Sequence, residues 1–254
     1  MSKLAMKGGP KAVRTDPGDI FSWPIITKED EEAALEVLRA GKMSRIDVTQ
    51  KFEEEFARWH GVKYALGHNN GTAALHAAMF GCGVGVGDEI ICQSLTYWAS
   101  ALPALSLGAT IVFAEVDPNT LTLDPKDVER RITDRTKAIV VVHYCGYPTD
   151  MDPIMEIAER HKIKVIEDCS HAHGGLYKGR LVGTIGHVAA FSLMSGKSLI
   201  AGEGGILITD DREIYERAVA FGHYERTHDV LTIPELKRFA GLPLGGYKYR
   251  MHQI

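Results

Sequence analysis

Neither sign of charge dominates this chain of 254 residues: 29 lysines and arginines face 33 aspartates and glutamates, a formal net charge of −4. No basic stretch offsets that balance locally, so the electrostatic case for a nucleic-acid binder is missing. Long apolar runs are missing too. No uncharged stretch is long enough to span a bilayer, and Met1 to Pro10 hold charges but no apolar core of a signal peptide. A cytoplasmic protein with no membrane partner is expected. Cysteine is scarce. Cys82, Cys92, Cys145 and Cys169 lie far apart with no Cys-x-x-Cys pair, which suits buried free thiols and argues against a disulfide framework, a zinc knuckle or redox chemistry.

Familiar motifs fail on single residues. Gly196-Lys197-Ser198 imitates the end of a P-loop, but Phe191 stands where its first glycine belongs. Gly81, Gly83, Gly85 and Gly87 follow a helical pattern and precede a strand, the reverse of a dinucleotide fingerprint, and Gly81 reads as a helix stop. No Gly-x-Ser-x-Gly elbow occurs, and no cysteine has a neighbouring base. His171-Ala-His173 offers imidazoles behind Asp168 without a further ligand at recognisable spacing, so no metal is expected. His60, His76 and His161 fall on helical faces and are assigned no special role.

With 45% hydrophobic and 24% charged residues, the chain can bury the core of one large domain or two modest ones. Residues 1–24 mix glycine, proline and charge without period and read as an arm that wraps something, such as a second subunit. Thr27-Lys-Glu-Asp30 has the form of a capping box, opening a helix to Gly41, and Phe52, Phe56 and Trp59 mark a second helix ending at Gly61. Short apolar runs then alternate with helical patterns. Strands are expected at 64–67, 89–92, 110–116, 137–143 and 165–168, with helices at 72–80, 98–107, 125–132 and 153–161 between them. Two closer strands at 188–193 and 206–209 precede a helix at 212–221. This alternation predicts an α/β fold on a largely parallel sheet, with chemistry at the carboxyl ends of the strands.

Three such strand ends carry unusual residues. Gly67-His-Asn-Asn70-Gly71-Thr72 is a strand turning through small residues into a helix, whose free N–H groups and positive dipole end suit a phosphate; an ordinary N-cap would look the same. Glu167-Asp168 closes an apolar strand, and alternation sends the two carboxylates to opposite faces. One can enter a site and meet a cation such as a protonated pyridine, the other a structural partner; an internal salt bridge is the plain alternative. Lys197 lies past the apolar strand ending Phe191-Ser192, where desolvation turns an amine into a nucleophile for a carbonyl, although most lysines are solvated surface charges. Ser192 and Ser195 could serve a phosphate.

Together these segments resemble the DegT/DnrJ/StrS-type family of pyridoxal-phosphate (PLP) sugar aminotransferases, from about residue 20 to the end. The resemblance implies the large domain of a fold-type I PLP-dependent transferase, a mostly parallel sheet sandwiched by helices in three α/β/α layers. It divides the chain into an arm at 1–24, a PLP-binding domain at 25–241, and the start of a C-terminal segment at 242–254. Asn70-Gly71-Thr72 resembles the family's phosphate turn. Ser94-Leu-Thr96-Tyr97-Trp98-Ala-Ser100 is similar to the segment whose aromatic stacks on the coenzyme ring, with Tyr97 the better match and Trp98 second. Asp168 matches the partner of the pyridine nitrogen, His171 stands where many members have glutamine, and Ser192 and Lys197 match the phosphate serine and the coenzyme-bearing lysine. Dehydratases of the family carry histidine at that last place, so Lys197 implies amino transfer.

The same resemblance implies a ping-pong reaction from glutamate or glutamine to a keto-sugar, often nucleotide-linked, or a keto-cyclitol. Lys197 and Asp168 would be its catalytic residues. It further implies a homodimer in which the Gly246–Met251 segment reaches the neighbouring subunit's phosphate, Lys248 replacing a frequent asparagine there. Family members continue into a C-terminal domain that helps close the substrate site, whereas this sequence stops at Ile254, as a fragment or a natural truncation. A PLP-binding regulatory or inactive truncated homologue is therefore a second expectation, and a PLP-free α/β binding module a third.

Overall fold

The computed structural model describes residues 3–16, 18, 20 and 22–254. The remaining arm positions, 1, 2, 17, 19 and 21, lie outside the described residues. Helix α1 (Lys28–Ala40) starts on the expected box, with Thr27 and Asp30 each accepting the other's backbone N–H, and it stops where Gly41 turns left-handed. Helix α2 (Asp47–His60) stops at Gly61 in the same way. Strand β1 (Tyr64–His68) then leads into helix α3 (Gly71–Gly81).

Strands β2 (Glu89–Gln93) and β3 (Thr110–Ala114) flank the first departure from expectation. The single helix expected over 98–107 is instead a 3-10 turn at Trp98–Ser100 followed by the short helix α4 (Pro103–Ser106). Pro103 has no N–H for the Ala99 carbonyl, so a continuous helix cannot pass that point, and proline opens the next one as its first residue. Helix α5 (Pro125–Arg131), strand β4 (Thr136–Val142), helix α6 (Met151–His161) and strand β5 (Lys164–Asp168) follow as the periodicity suggests. A two-stranded hairpin, β6 (Leu176–Tyr177) with β7 (Arg180–Leu181), interrupts the loop before β8 (Val188–Ser192); it is too short to leave a periodic signal. Strand β9 (Gly205–Thr209), helix α7 (Arg212–Gly222) and the one-turn helices α8 (Thr227–Val230) and α9 (Pro234–Lys237) follow.

Seven strands form one sheet in the order β1-β9-β8-β5-β4-β2-β3. Every neighbouring pair is parallel except those of β9, which runs against both β1 and β8. The largely parallel sheet is thus present, and the two closely spaced strands are its antiparallel exception. Residues on the two faces alternate into two apolar clusters. Leu66, Ile90, Val140 and Ile166 meet α3 and α7 on one side, and Ala65, Ile91, Val141 and Val165 meet α2 and α6 on the other. Helices therefore cover both faces, because strands apolar on both sides need two covering layers.

The final segment runs back over the sheet edge. Asn69 N–H donates to the Tyr249 carbonyl at 2.7 Å, and the Gln253 carboxamide joins the Val48 N–H to the Lys42 carbonyl. His76, assigned no role on its helix face, is buried and ties α3 to this segment: its ring nitrogens lie 2.9 Å from the Tyr249 and Ser106 hydroxyls. Ser106 spends its proton on the Pro103 carbonyl, so Nε2 of His76 donates to Ser106 and Nδ1 accepts from Tyr249. Three of the four cysteines are buried as expected, whereas Cys145 is exposed in a turn after β4, at φ 51°.

Candidate active site

The carboxyl ends of β1, β2, β4, β5 and β8 converge on one cleft of about 520 Å³. Its lining includes Asn70, Gly71 and Thr72 from the start of α3, Tyr97 after β2, Asp168 and His171 at the end of β5, and Ser192 and Lys197 after β8. Eight of the nine residues singled out in the sequence are therefore brought together. The ninth, Lys248, is exposed and outside this lining, as is Trp98, whose ring lies 5.0 Å from that of Tyr97.

The start of α3 is an N-cap and a cradle at once. Asn70 Oδ1 accepts the Ala73 N–H at 2.8 Å, while the Gly71 and Thr72 amides of the first turn have no intrahelical acceptor. Two glycines bring this turn against the sheet. A Cβ on Gly71 would lie 2.7 Å from Ser192 Cβ, and one on Gly205 would lie 2.4 Å from the Asn70 carbonyl carbon and oxygen. Only residues without a side chain let the helix start, the end of β8 and the start of β9 touch, and that contact places Ser192 beside the start of α3.

Glu167 and Asp168 separate to opposite faces as alternation requires. Glu167 is buried away from the cleft, taking N–H donors from Gly183, Ile185 and Gly186 and a bond of 2.9 Å from His143 Nε2. His143 Nδ1 accepts the Thr149 N–H, which fixes the proton on Nε2. Burial pushes the Glu167 carboxyl up, but the His143 and backbone donors outweigh it and hold the group below its ordinary range. Glu167, His143 and Cys169 come within 4.8 Å of one another, yet both Glu167 oxygens are already spent on these donors.

Asp168 faces the cleft with 4% of its surface exposed. Ser100 Oγ donates to its Oδ2 at 2.7 Å and the Ser170 N–H to its Oδ1 at 3.1 Å. Among the described residues no cationic side chain pairs with it within 4.0 Å. A buried carboxylate facing a cleft in this way is suited to a cation supplied by a ligand. Lys197 lines the same cleft, and burial lowers its proton affinity against the opposing pull of Asp168. Burial and the Lys197 charge likewise lower His171, which keeps it neutral near pH 7. The Trp23 indole donates to the Lys197 carbonyl at 3.1 Å, so the end of the arm is fastened to this loop.

The residues present fit PLP: a helix-start cradle for a phosphate, an aromatic, a buried anion without a protein cation, and a partly desolvated amine. Ser100, Ser170, Tyr144 and Glu203, given no role of their own in the sequence, also line the cleft. Tyr144 follows the end of β4, so the strand-end rule could have found it. Ser170 sits two residues past Asp168 in an Asx-like turn.

The family model described as the DegT/DnrJ/EryC1/StrS aminotransferase family matches residues 24–254. The chain belongs to this family. GDP-perosamine synthase from Escherichia coli O157:H7 is 38% identical over 238 residues, 91% of this chain and 62% of that protein. L-glutamine:2-deoxy-scyllo-inosose aminotransferase from Streptomyces lividus is 42% identical over 221 residues, 84% of this chain and 51% of its own length. The solved aminotransferase from Psychrobacter cryohalolentis superposes with a TM-score of 0.82 at 37% identity, over 91% of this chain and 60% of the other. The architecture is thus that of the fold-type I aminotransferases, and the chain spans only 51–62% of the length of these two curated relatives.

Proposed function

We propose that this chain forms the PLP-binding part of an aminotransferase that moves an amino group from glutamate or glutamine to a keto-sugar, nucleotide-linked or free, or to a keto-cyclitol. The observation carrying this reading is that Asp168, at the end of β5, and Lys197, in the loop after the neighbouring parallel strand β8, line one cleft with the α3 helix start. The family and the two named relatives, one a perosamine synthase and one a cyclitol aminotransferase, support the substrate class. When bound, the coenzyme supplies an electrophilic carbonyl and an electron sink. Gly71 and Thr72 amides with the Ser192 hydroxyl would hold its phosphate, and Tyr97 would cover its ring. Asp168 would hold a proton on the ring nitrogen. Lys197 Nζ, its proton affinity lowered by burial, would be the amine that attaches the coenzyme and the base for the proton of the donor's α-carbon.

The division into arm, PLP-binding domain and C-terminal segment belongs to this proposal, as does a homodimer. The exposed Lys248, outside its own cleft, supports a contact with the phosphate of the neighbouring subunit. The test is to add PLP, reduce with borohydride and map the modified peptide. A visible band and an adduct at Lys197 are expected; no band, or an adduct elsewhere, overturns the assignment. Loss of the band on adding glutamate or glutamine identifies turnover, and a band that no amino donor bleaches identifies a binding protein instead.

A further inference from the structure

We propose that Ser100, oriented by Thr96, is a positioning residue that fixes the Asp168 carboxylate in the orientation in which it would meet the ring nitrogen of a bound pyridine. This inference rests on the coenzyme reading above. Ser100 is 1% exposed, and its hydroxyl has two neighbours, Asp168 Oδ2 at 2.7 Å and Thr96 Oγ1 at 2.8 Å. A carboxylate can only accept, so the single Ser100 proton points to Asp168 and the Thr96 hydroxyl must donate to Ser100 Oγ. The direction of the relay is therefore set: Thr96 to Ser100 to Asp168. A hydroxyl that is itself receiving a hydrogen bond donates more strongly.

The relay belongs to the turn that presents the aromatic. Ser100 N–H donates to the Tyr97 carbonyl at 3.1 Å, closing the 3-10 turn, and Thr96 and Tyr97 both line the cleft. One turn after β2 thus delivers the ring that would cover the coenzyme and the donor that conditions its anion. The charged or titratable groups around Asp168 are Lys197, His171, Tyr97, Tyr144 and Glu203 of the cleft lining and the buried thiols of Cys92 and Cys169. None of these donates a hydrogen bond to its oxygens. Ser100 and the Ser170 amide carry that task among the described residues.

Removing the Ser100 hydroxyl leaves Oδ2 without a protein donor, and the carboxylate is free to turn away from the ring nitrogen. With that contact loosened, the ring nitrogen would hold its proton less firmly and the ring would withdraw less density from the atom joined to Lys197. The measurement is a pH titration of the visible band of the PLP-loaded chain, with borohydride mapping on each variant. S100A is expected to keep the Lys197 adduct while the titration midpoint moves to higher pH. S100T, which keeps the hydroxyl, should restore the wild-type midpoint, and T96V should shift it in the same direction by less. T96V also covers the case in which S100A fails to fold. An intact adduct with unmoved midpoints in the folded variants overturns the role of Ser100 alone. An absent adduct in the wild type overturns the coenzyme reading and this inference with it.

Discussion

Gly205→Ala tests the contact that builds the phosphate cradle. The added Cβ would sit 2.4 Å from the Asn70 carbonyl carbon and oxygen and 2.6 Å from the Gly71 nitrogen, all backbone atoms. Carbon contacts want about 3.5 Å, so β9 and the α3 start must part by roughly 1 Å. Neither can yield cheaply. Gly205 is paired with His68 on one side and Ser192 on the other, and Asn70 caps α3. Overpacking of this kind costs about 1–3 kcal/mol, which for a chain of this size lowers Tm by roughly 2–12 °C. Because the displaced groups are the Gly71 amide and Ser192, affinity for PLP should fall as well. Gly85→Ala is the matched control: its Cβ would meet only Asp88 Oδ2, at 3.9 Å. Thermal unfolding and PLP titration of the two variants decide the matter. A Gly205→Ala protein that melts with the control and binds PLP like the wild type would refute the cradle.

Two further outcomes follow from the same geometry. Asp168→Asn should retain the borohydride-reducible adduct at Lys197 yet slow exchange of the donor's α-proton by about 10²-fold or more, since an amide cannot hold the ring proton; exchange at the wild-type rate, followed by NMR in deuterated buffer, would remove Asp168 from the chemistry. Burial lowers the pKa of His76 and of His173 to about 4, against 6.5 in the unfolded chain. Between those values the unfolded state binds more protons, so stability falls as pH drops from about 6.5 towards 4. Urea midpoints measured across that range should show the fall, and His76→Gln should flatten it. An unchanged slope would show that His76 does not titrate as its burial implies.

Much of this protein was legible before folding because much of it is local. The capping box at Thr27, the glycine stops at Gly41 and Gly61 and the alternation of apolar runs each depend on residues within a few positions of one another. The split of Glu167 and Asp168 to opposite faces is likewise a property of any strand. So is the tendency of strand ends to hold the site, which gathered eight of nine singled-out residues into one cleft. The break at Pro103 was also written locally, and the apolar run around it masked it.

What the tertiary structure alone decided depends on residues far apart in the chain meeting across the sheet. Ser100 reaches Asp168 over 68 positions, and His76 reaches Tyr249 over 173. The role of Gly205 exists only because β9 is inserted antiparallel between β1 and β8, beside the start of α3. Strand order and register set those meetings, and neither leaves a period in the sequence. Residue types and their spacing along the chain thus determined which groups could do chemistry, while the order of strands decided which donors each buried charge would find.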